Sequence, residues 1–334
     1  MIIRRKAYPR AALIGNPSDG FFGKTIAFTF GNFCAECTVY ESPQLEIIPS
    51  TRDHSVFTNL RQLVSDVDNF GYYGGIRLLK ASIKRFFDYC IENQIDLDER
   101  NFTVSYQTTI PPHLGLAGSS AIITACFRAL LDFYGVQVEK PILANLILSV
   151  ETEELGIPAG LQDRVAQVYD CPVFMDFDKH IMETQGYGDY TPLDSRIFPN
   201  LYVAYRGALS QGSEVTHSNL RYRYDTGEPD VVQAMQFWSQ LTVKARDALE
   251  NGNSGLLPGL LNDNFDMRRE ICPISDGNLA MVEAARSTGA SAKFTGSGGA
   301  IIGTYTDDAM FEALVSALGR LDITVIKPQI RDGK

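Results

Sequence analysis

The chain has 334 residues, of which 45% are hydrophobic and 21% charged, and its net charge is −10. That length can fill two sizeable cores, and the acidic balance argues against nucleic acid or an anionic membrane surface as a partner. With no run of 18 apolar residues, no membrane-spanning helix is expected.

The first residues, Met1-Ile2-Ile3-Arg4-Arg5-Lys6, lack the apolar stretch of a secretory signal. Ala11-Ala12-Leu13-Ile14 reads as a buried strand, and Gly15-Asn16-Pro17-Ser18-Asp19-Gly20 is turn chemistry. Residues 18–25 end like a Walker A motif, but Ser18 stands where that motif needs glycine and residues 26–30 read as a strand. Cys34-Ala35-Glu36-Cys37-Thr38-Val39-Tyr40 reads as another strand. Its C-x-x-C has no second copy and the four histidines are dispersed, so no zinc site is expected. All six cysteines are expected to be reduced, which suits the cytoplasm.

Residues 74–91 carry a helical apolar period, and Phe102-Thr103-Val104-Ser105-Tyr106 alternates as a strand. A glycine turn follows, and then a helix to about Tyr134 with Gly135 as its stop. Another helix is expected over residues 141–155, a break over 156–160 and a short helix over 162–169. Residues 173–177 and 201–205 read as strands, and a loose domain boundary falls near residue 195. Beyond residue 229 the pattern turns strongly helical, including residues 280–287. The turn Gly296-Ser297-Gly298-Gly299 is followed by the strand Ala300-Ile301-Ile302-Gly303, one more helix and the strand Ile323-Thr324-Val325-Ile326.

The most informative stretch is Pro111-Pro112-His113-Leu114-Gly115-Leu116-Ala117-Gly118-Ser119-Ser120-Ala121. It sets two hydroxyls at the start of a helix, where unpaired N–H groups and the helix dipole favour anions, phosphate above all. Glycine at 115 and 118 lets the backbone come close to a polyphosphate. Ser119 or Ser120 would cap the helix or reach a Mg²⁺ ion. Further on, Glu151 ends a helix and offers a hard oxygen ligand. Asp163 opens a helix after a glycine turn, where it either faces the helix dipole or sits beside a substrate hydroxyl.

Taken together, three segments resemble the GHMP kinases: Pro9-Arg10-Ala11-Ala12-Leu13-Ile14-Gly15-Asn16-Pro17, the turn before Ala121, and Lys293-Phe294-Thr295-Gly296-Ser297-Gly298-Gly299-Ala300. The middle motif has one residue more than the family pattern. Asn16-Pro17 replaces the Glu-His of galactokinases, a departure that resembles the plant-type glucuronokinase branch. Further likeness to that branch lies in Gly71-Tyr72-Tyr73-Gly74-Gly75 and in residues 159–169.

The resemblance implies a two-domain α+β fold. It has a ribosomal-protein-S5-like α/β domain over residues 1–194, a ferredoxin-like α+β domain over 195–334, and the active site between them. It implies a sugar-1-kinase using ATP and Mg²⁺ on glucuronate or another sugar. Pro112, Gly115, Leu116, Ala117, Gly118, Ser119, Ser120 and Ala121 would hold the nucleotide, with Mg²⁺ on Ser120 and Glu151. Asp163 would be the catalytic base, kept ionised by Arg10. Asn16, Asp19, Gly160, Gln162, Asp163, Arg164, Gly296, Ser297 and Gly298 would line the substrate. Arg164 is a candidate for a uronate carboxylate, with Arg268 and Arg77 as alternatives, or else it closes a structural salt bridge. Tyr72, Tyr73 and Phe57 are aromatic candidates for an adenine wall.

Overall fold

The computed structural model describes residues 1–53, 74–206 and 214–333, so Phe57, Tyr72 and Tyr73 lie outside the described residues. The chain divides into two compact units, each drawing on separate stretches of sequence. One comprises Met1–Pro9, Phe33–Ile110 and Ala117–Val168. The other comprises Arg10–Asn32, Pro111–Leu116 and Tyr169–Lys334. The boundary expected near residue 195 falls inside the second unit. The reason is strand pairing: Val173–Asp176 and Asp189–Pro192 complete a sheet begun by Arg10–Ile14 and Lys24–Thr29.

In the first unit, Ile2–Ala7, Ala35–Glu41 and Phe102–Thr108 form an antiparallel sheet, and Glu46–Ile48 adds to Phe102–Thr108 in parallel. The alternation in Ala35–Glu41 explains its place. Ala35, Cys37 and Val39 are buried while Glu36, Thr38 and Tyr40 are only partly so, the period-two signature of a strand with one covered face. The helix Gly118–Tyr134 packs on Ile2–Ala7 and Ala35–Glu41, and the helix Gly75–Glu92 packs on it in turn. Phe86 joins the two helices, stacking on Tyr134 with ring centroids 5.7 Å apart. The stop at Gly135 is real: its φ is +68°, and its N–H returns to the Leu131 carbonyl.

In the second unit the other sheet runs Lys293–Phe294, Ala300–Thr304, Leu201–Arg206, Ile323–Ile326, antiparallel throughout. Tyr202, Phe265, Phe294, Ile301 and Leu314 lie in its core. Trp238, on the helix Pro229–Glu250, is fully buried and donates its indole N–H to the Asn264 carbonyl at 3.0 Å.

Two differences from expectation have local causes. The helix expected over residues 141–155 is α-helical over Lys140–Ser149 and widens into a π turn over Val150–Glu154. That wider turn buries two successive residues, Val150 and Glu151, and such turns often mark functional positions. The segments Glu46–Ile48, Lys179–Gln185 and Asp189–Pro192 gave no signal because they are short and largely exposed.

Gly303, inside the buried strand Ala300–Thr304, has no room for a side chain: a Cβ there would lie 1.7 Å from the Ser291 carbonyl oxygen. Backbone cannot rotate away, so Gly303→Ala is expected to lower unfolding free energy by about 2 kcal/mol or more in urea titration. A loss below about 0.5 kcal/mol would contradict this packing.

Candidate active site

The turn before the Gly118–Tyr134 helix is built from left-handed residues. His113, Gly115 and Ala117 have φ of +58°, +62° and +61°. Left-handed residues alternating along a chain bring successive N–H groups to one concave side. Ser119 or Ser120 was expected to cap the helix or reach a Mg²⁺ ion, and no side chain caps this helix. Buried Ser120 instead donates its hydroxyl to the Ala117 carbonyl at 3.2 Å, and Gln167 Nε2 donates to the same oxygen at 2.9 Å. Because a trans peptide opposes its C=O and N–H, holding that carbonyl turns the Gly118 N–H the other way. Among the described residues no acceptor is recorded for the N–H groups of Gly115, Leu116, Gly118, Ser119 and Ser120. A helix N-terminus with its donors unspent is suited to an anion.

The first unit also carries the acidic residues. Asp163 lies in the first turn of Leu161–Tyr169 and is partly exposed. Arg164 follows it, with Nη1 at 3.5 Å from an Asp163 oxygen and 2.9 Å from the Gly160 carbonyl it donates to. Its Nη2 is paired with Glu151 Oε2, and both side chains are only 4% exposed. The structure therefore gives Arg164 to a buried salt bridge rather than to an open face. That is the structural alternative left by the sequence. Gln162, 3% exposed, has a buried Oε1 with no partner among the described residues.

Glu151 Oε1 is not engaged by any described residue. Among the described residues there is no cluster of three or more His, Cys, Asp or Glu that could hold a metal ion.

The second unit gathers cations. Arg10, Arg268 and Lys293 are 4%, 5% and 1% exposed. Arg10 Nη1 donates to the carbonyls of Gly115 (3.2 Å) and Thr295. Arg268 donates to the carbonyls of Gly296 (2.9 Å) and Ser297 (3.2 Å), with its guanidinium 5.2 Å from the Phe294 ring centre. Lys293 Nζ donates to the Ala12 carbonyl and to Asn16 Oδ1. Asn16 Nδ2 donates to the carbonyls of Phe294 and Gly296, both at 3.4 Å. Expected to line the substrate, Asn16 instead spends its amide inside the protein as a bracket between two turns. Burial, and then the charges of Arg268 and Arg10, hold the Lys293 amine well below its ordinary value, while Asp19 opposes the shift.

Gly296 fits its place because a Cβ there would meet the Gly115 carbonyl at 2.7 Å and Arg10 at 3.1 Å. Reasoning from the sequence missed Lys293 as a buried group, and also Asn264. The Asn264 side chain accepts from the Gly15 N–H at 2.7 Å and donates to the Asn16 carbonyl at 3.1 Å. No spacing rule links residues nearly 250 apart. Of the two other arginines considered for a carboxylate, Arg77 donates to the Leu155 carbonyl at 3.3 Å in the first unit.

The GHMP kinases N-terminal domain pattern matches residues 77–170. Glucuronokinase 1 of Arabidopsis thaliana is 44% identical over 307 residues, covering 90% of this chain and 84% of that one. Probable glucuronokinase 2 of the same plant is 45% identical over 309 residues, with the same coverage. The chain belongs to the GHMP kinase family. As a member it is a phosphotransferase, for which ATP is the phosphoryl donor expected of a kinase. The Lactococcus lactis galactokinase solved with galactose shares the fold, with a TM-score of 0.75 at 15% identity over 99% of this chain and 94% of that one. The two-domain α+β fold expected from the sequence is thus the fold present. No helix among the described residues is long and apolar enough to cross a membrane.

Two measurements probe this construction. Removing one member of the buried Glu151–Arg164 pair, as Glu151→Gln or Arg164→Met, is expected to cost about 3–5 kcal/mol. The double variant should recover more than about 1 kcal/mol of the summed loss. Additive losses in chemical denaturation would mean that the two charges do not depend on each other. For Lys293 the unfolded chain binds the extra proton between the lowered folded value and 10.5. Stability therefore rises with pH in that window, by up to about 1.4 kcal/mol per pH unit. Lys293→Met should flatten the rise, so a wild-type minus variant difference that does not grow with pH up to 10.5 would refute the buried-amine assignment.

Proposed function

We propose that this kinase transfers the γ-phosphoryl group of ATP to the anomeric hydroxyl of D-glucuronate, giving glucuronate 1-phosphate and ADP. The observation that carries the reading is 44% identity with Glucuronokinase 1 along 90% of the chain. Asp163, Glu151 and Ser120 lie within residues 77–170, which match the GHMP kinases N-terminal domain. The free thiols of all six cysteines suit a cytoplasmic enzyme.

Phosphoryl transfer asks for alignment and charge neutralisation more than for covalent help. The amides of residues 115–120 and the dipole of the following helix bind the triphosphate. Glu151 and Ser120 would hold Mg²⁺, whose charge offsets that of the phosphates. Asp163 accepts the proton of the anomeric hydroxyl as its oxygen bonds to phosphorus and the bond to the ADP oxygen breaks. Arg164 holds a guanidinium nitrogen 3.5 Å from an Asp163 oxygen, and Arg10 supplies positive charge for the transferring group.

Asp163→Asn is expected to lower kcat by about 10²–10⁴ with binding of an ATP analogue within about threefold of wild type. Near-normal turnover would retire Asp163 as the base. Substrate class is tested with ATP and a panel of D-glucuronate, D-galacturonate, neutral hexoses and a heptose phosphate, the phosphorylated carbon being identified by NMR. Glucuronate as a minor substrate, or phosphate on a carbon other than C1, would overturn the reading.

A further inference from the structure

The turn over residues 296–299 is held in an unusual way. Four successive carbonyls are each bound by a side chain of the second unit. Asn16 takes Phe294, Arg10 takes Thr295, Arg268 and Asn16 take Gly296, and Arg268 takes Ser297. A trans peptide points its N–H away from its C=O. Binding the carbonyls of residues 295–297 therefore turns the N–H groups of Gly296, Ser297 and Gly298 to the opposite side. Among the described residues none of these three N–H groups has a recorded acceptor. Gly298 is buried and Gly296 and Ser297 are partly exposed, so the row has one open side. A buried N–H without an acceptor calls for a ligand or water.

The surroundings favour an anion. Arg10, Arg268 and Lys293 are buried here, and Asp19 is the one acidic residue whose charge is recorded acting on the last two. Gly115 packs closely beside the row, where a Cβ on it would lie 3.1 Å from the Gly298 carbonyl oxygen and 3.3 Å from Ser297 N. The triphosphate already has the amides of residues 115–120, so a second row of donors suits a second anionic group. On the substrate reading above, on which this inference rests, that group is the sugar acid's carboxylate.

We propose that residues 296–298 form a three-amide seat for the substrate carboxylate and that Arg268 is the positioning residue that orients it. Arg268 binds the backbone, and the backbone binds the carboxylate. Selection for an acid over a neutral sugar then comes from peptide N–H groups, with the guanidinium behind them adding field and geometry. Lysine at position 268 would serve one of the two carbonyls, since it lacks the fork of the guanidinium.

The test measures, for the full-length enzyme, binding by calorimetry and turnover with D-glucuronate and with its neutral amide, D-glucuronamide. An ATP analogue serves as the folding control. Arg268→Gln is expected to weaken glucuronate about 30-fold, in KM more than in kcat, while glucuronamide and the ATP analogue change less than about threefold. Arg268→Lys should fall between. Ser297→Pro removes one N–H and leaves every cation in place, and it should reproduce the acid-selective loss. Equal losses on the acid and the amide, or a loss falling on the ATP analogue, would overturn the proposal. A wild-type enzyme that phosphorylates no uronic acid would remove the substrate reading and this seat together. Glucuronate turnover with non-selective variants would remove the seat alone.

Discussion

The burial of three cations against backbone carbonyls is the constraint from which the glycine turns of the second unit follow. Arg10, Arg268 and Lys293 have little water around them. A buried charge is tolerated only when its donors are satisfied. The carbonyls of Ala12, Gly115, Thr295, Gly296 and Ser297 supply that satisfaction. In doing so they fix the path of two glycine turns, because a bound carbonyl determines where the next N–H points. The turns owe their shape to the cations beneath them as much as to glycine's conformational freedom.

A parallel logic operates in the first unit, with opposite sign. Glu151 is buried in a π turn and paired on one oxygen with Arg164. Arg164 touches both Glu151 and Asp163, so one guanidinium supports two carboxylates assigned to different tasks. Preorganised charge of this kind is the main catalytic resource of a phosphotransferase, since the reaction moves charge and forms no enzyme-bound intermediate.

Much was legible in the linear chain. Period-two alternation placed Phe102–Thr108, and the apolar period of residues 75–92 placed that helix. The stop at Gly135 was readable because glycine tolerates a positive φ. The glycine turn before Ala121 and the acid at 163 were visible because their chemistry is local: a run of amides, a helix start, a carboxylate in a first turn. Residue type and motif position cannot tell a side chain that faces a ligand from one that faces its own protein, so the internal partners of Asn16 and Arg164 were not legible.

The sequence by itself determined the family and most of the longer strands and helices. Both depend on residues near one another along the chain. Only tertiary structure decided how the charges are spent. Arg164 meets Glu151 thirteen residues away, Arg268 meets a turn twenty-eight residues on, and Lys293 meets Asn16 across 277 residues. Hydrogen bonds act over about 3 Å whatever the separation in sequence. The partner of a buried charge is therefore fixed by packing, and no local pattern records it.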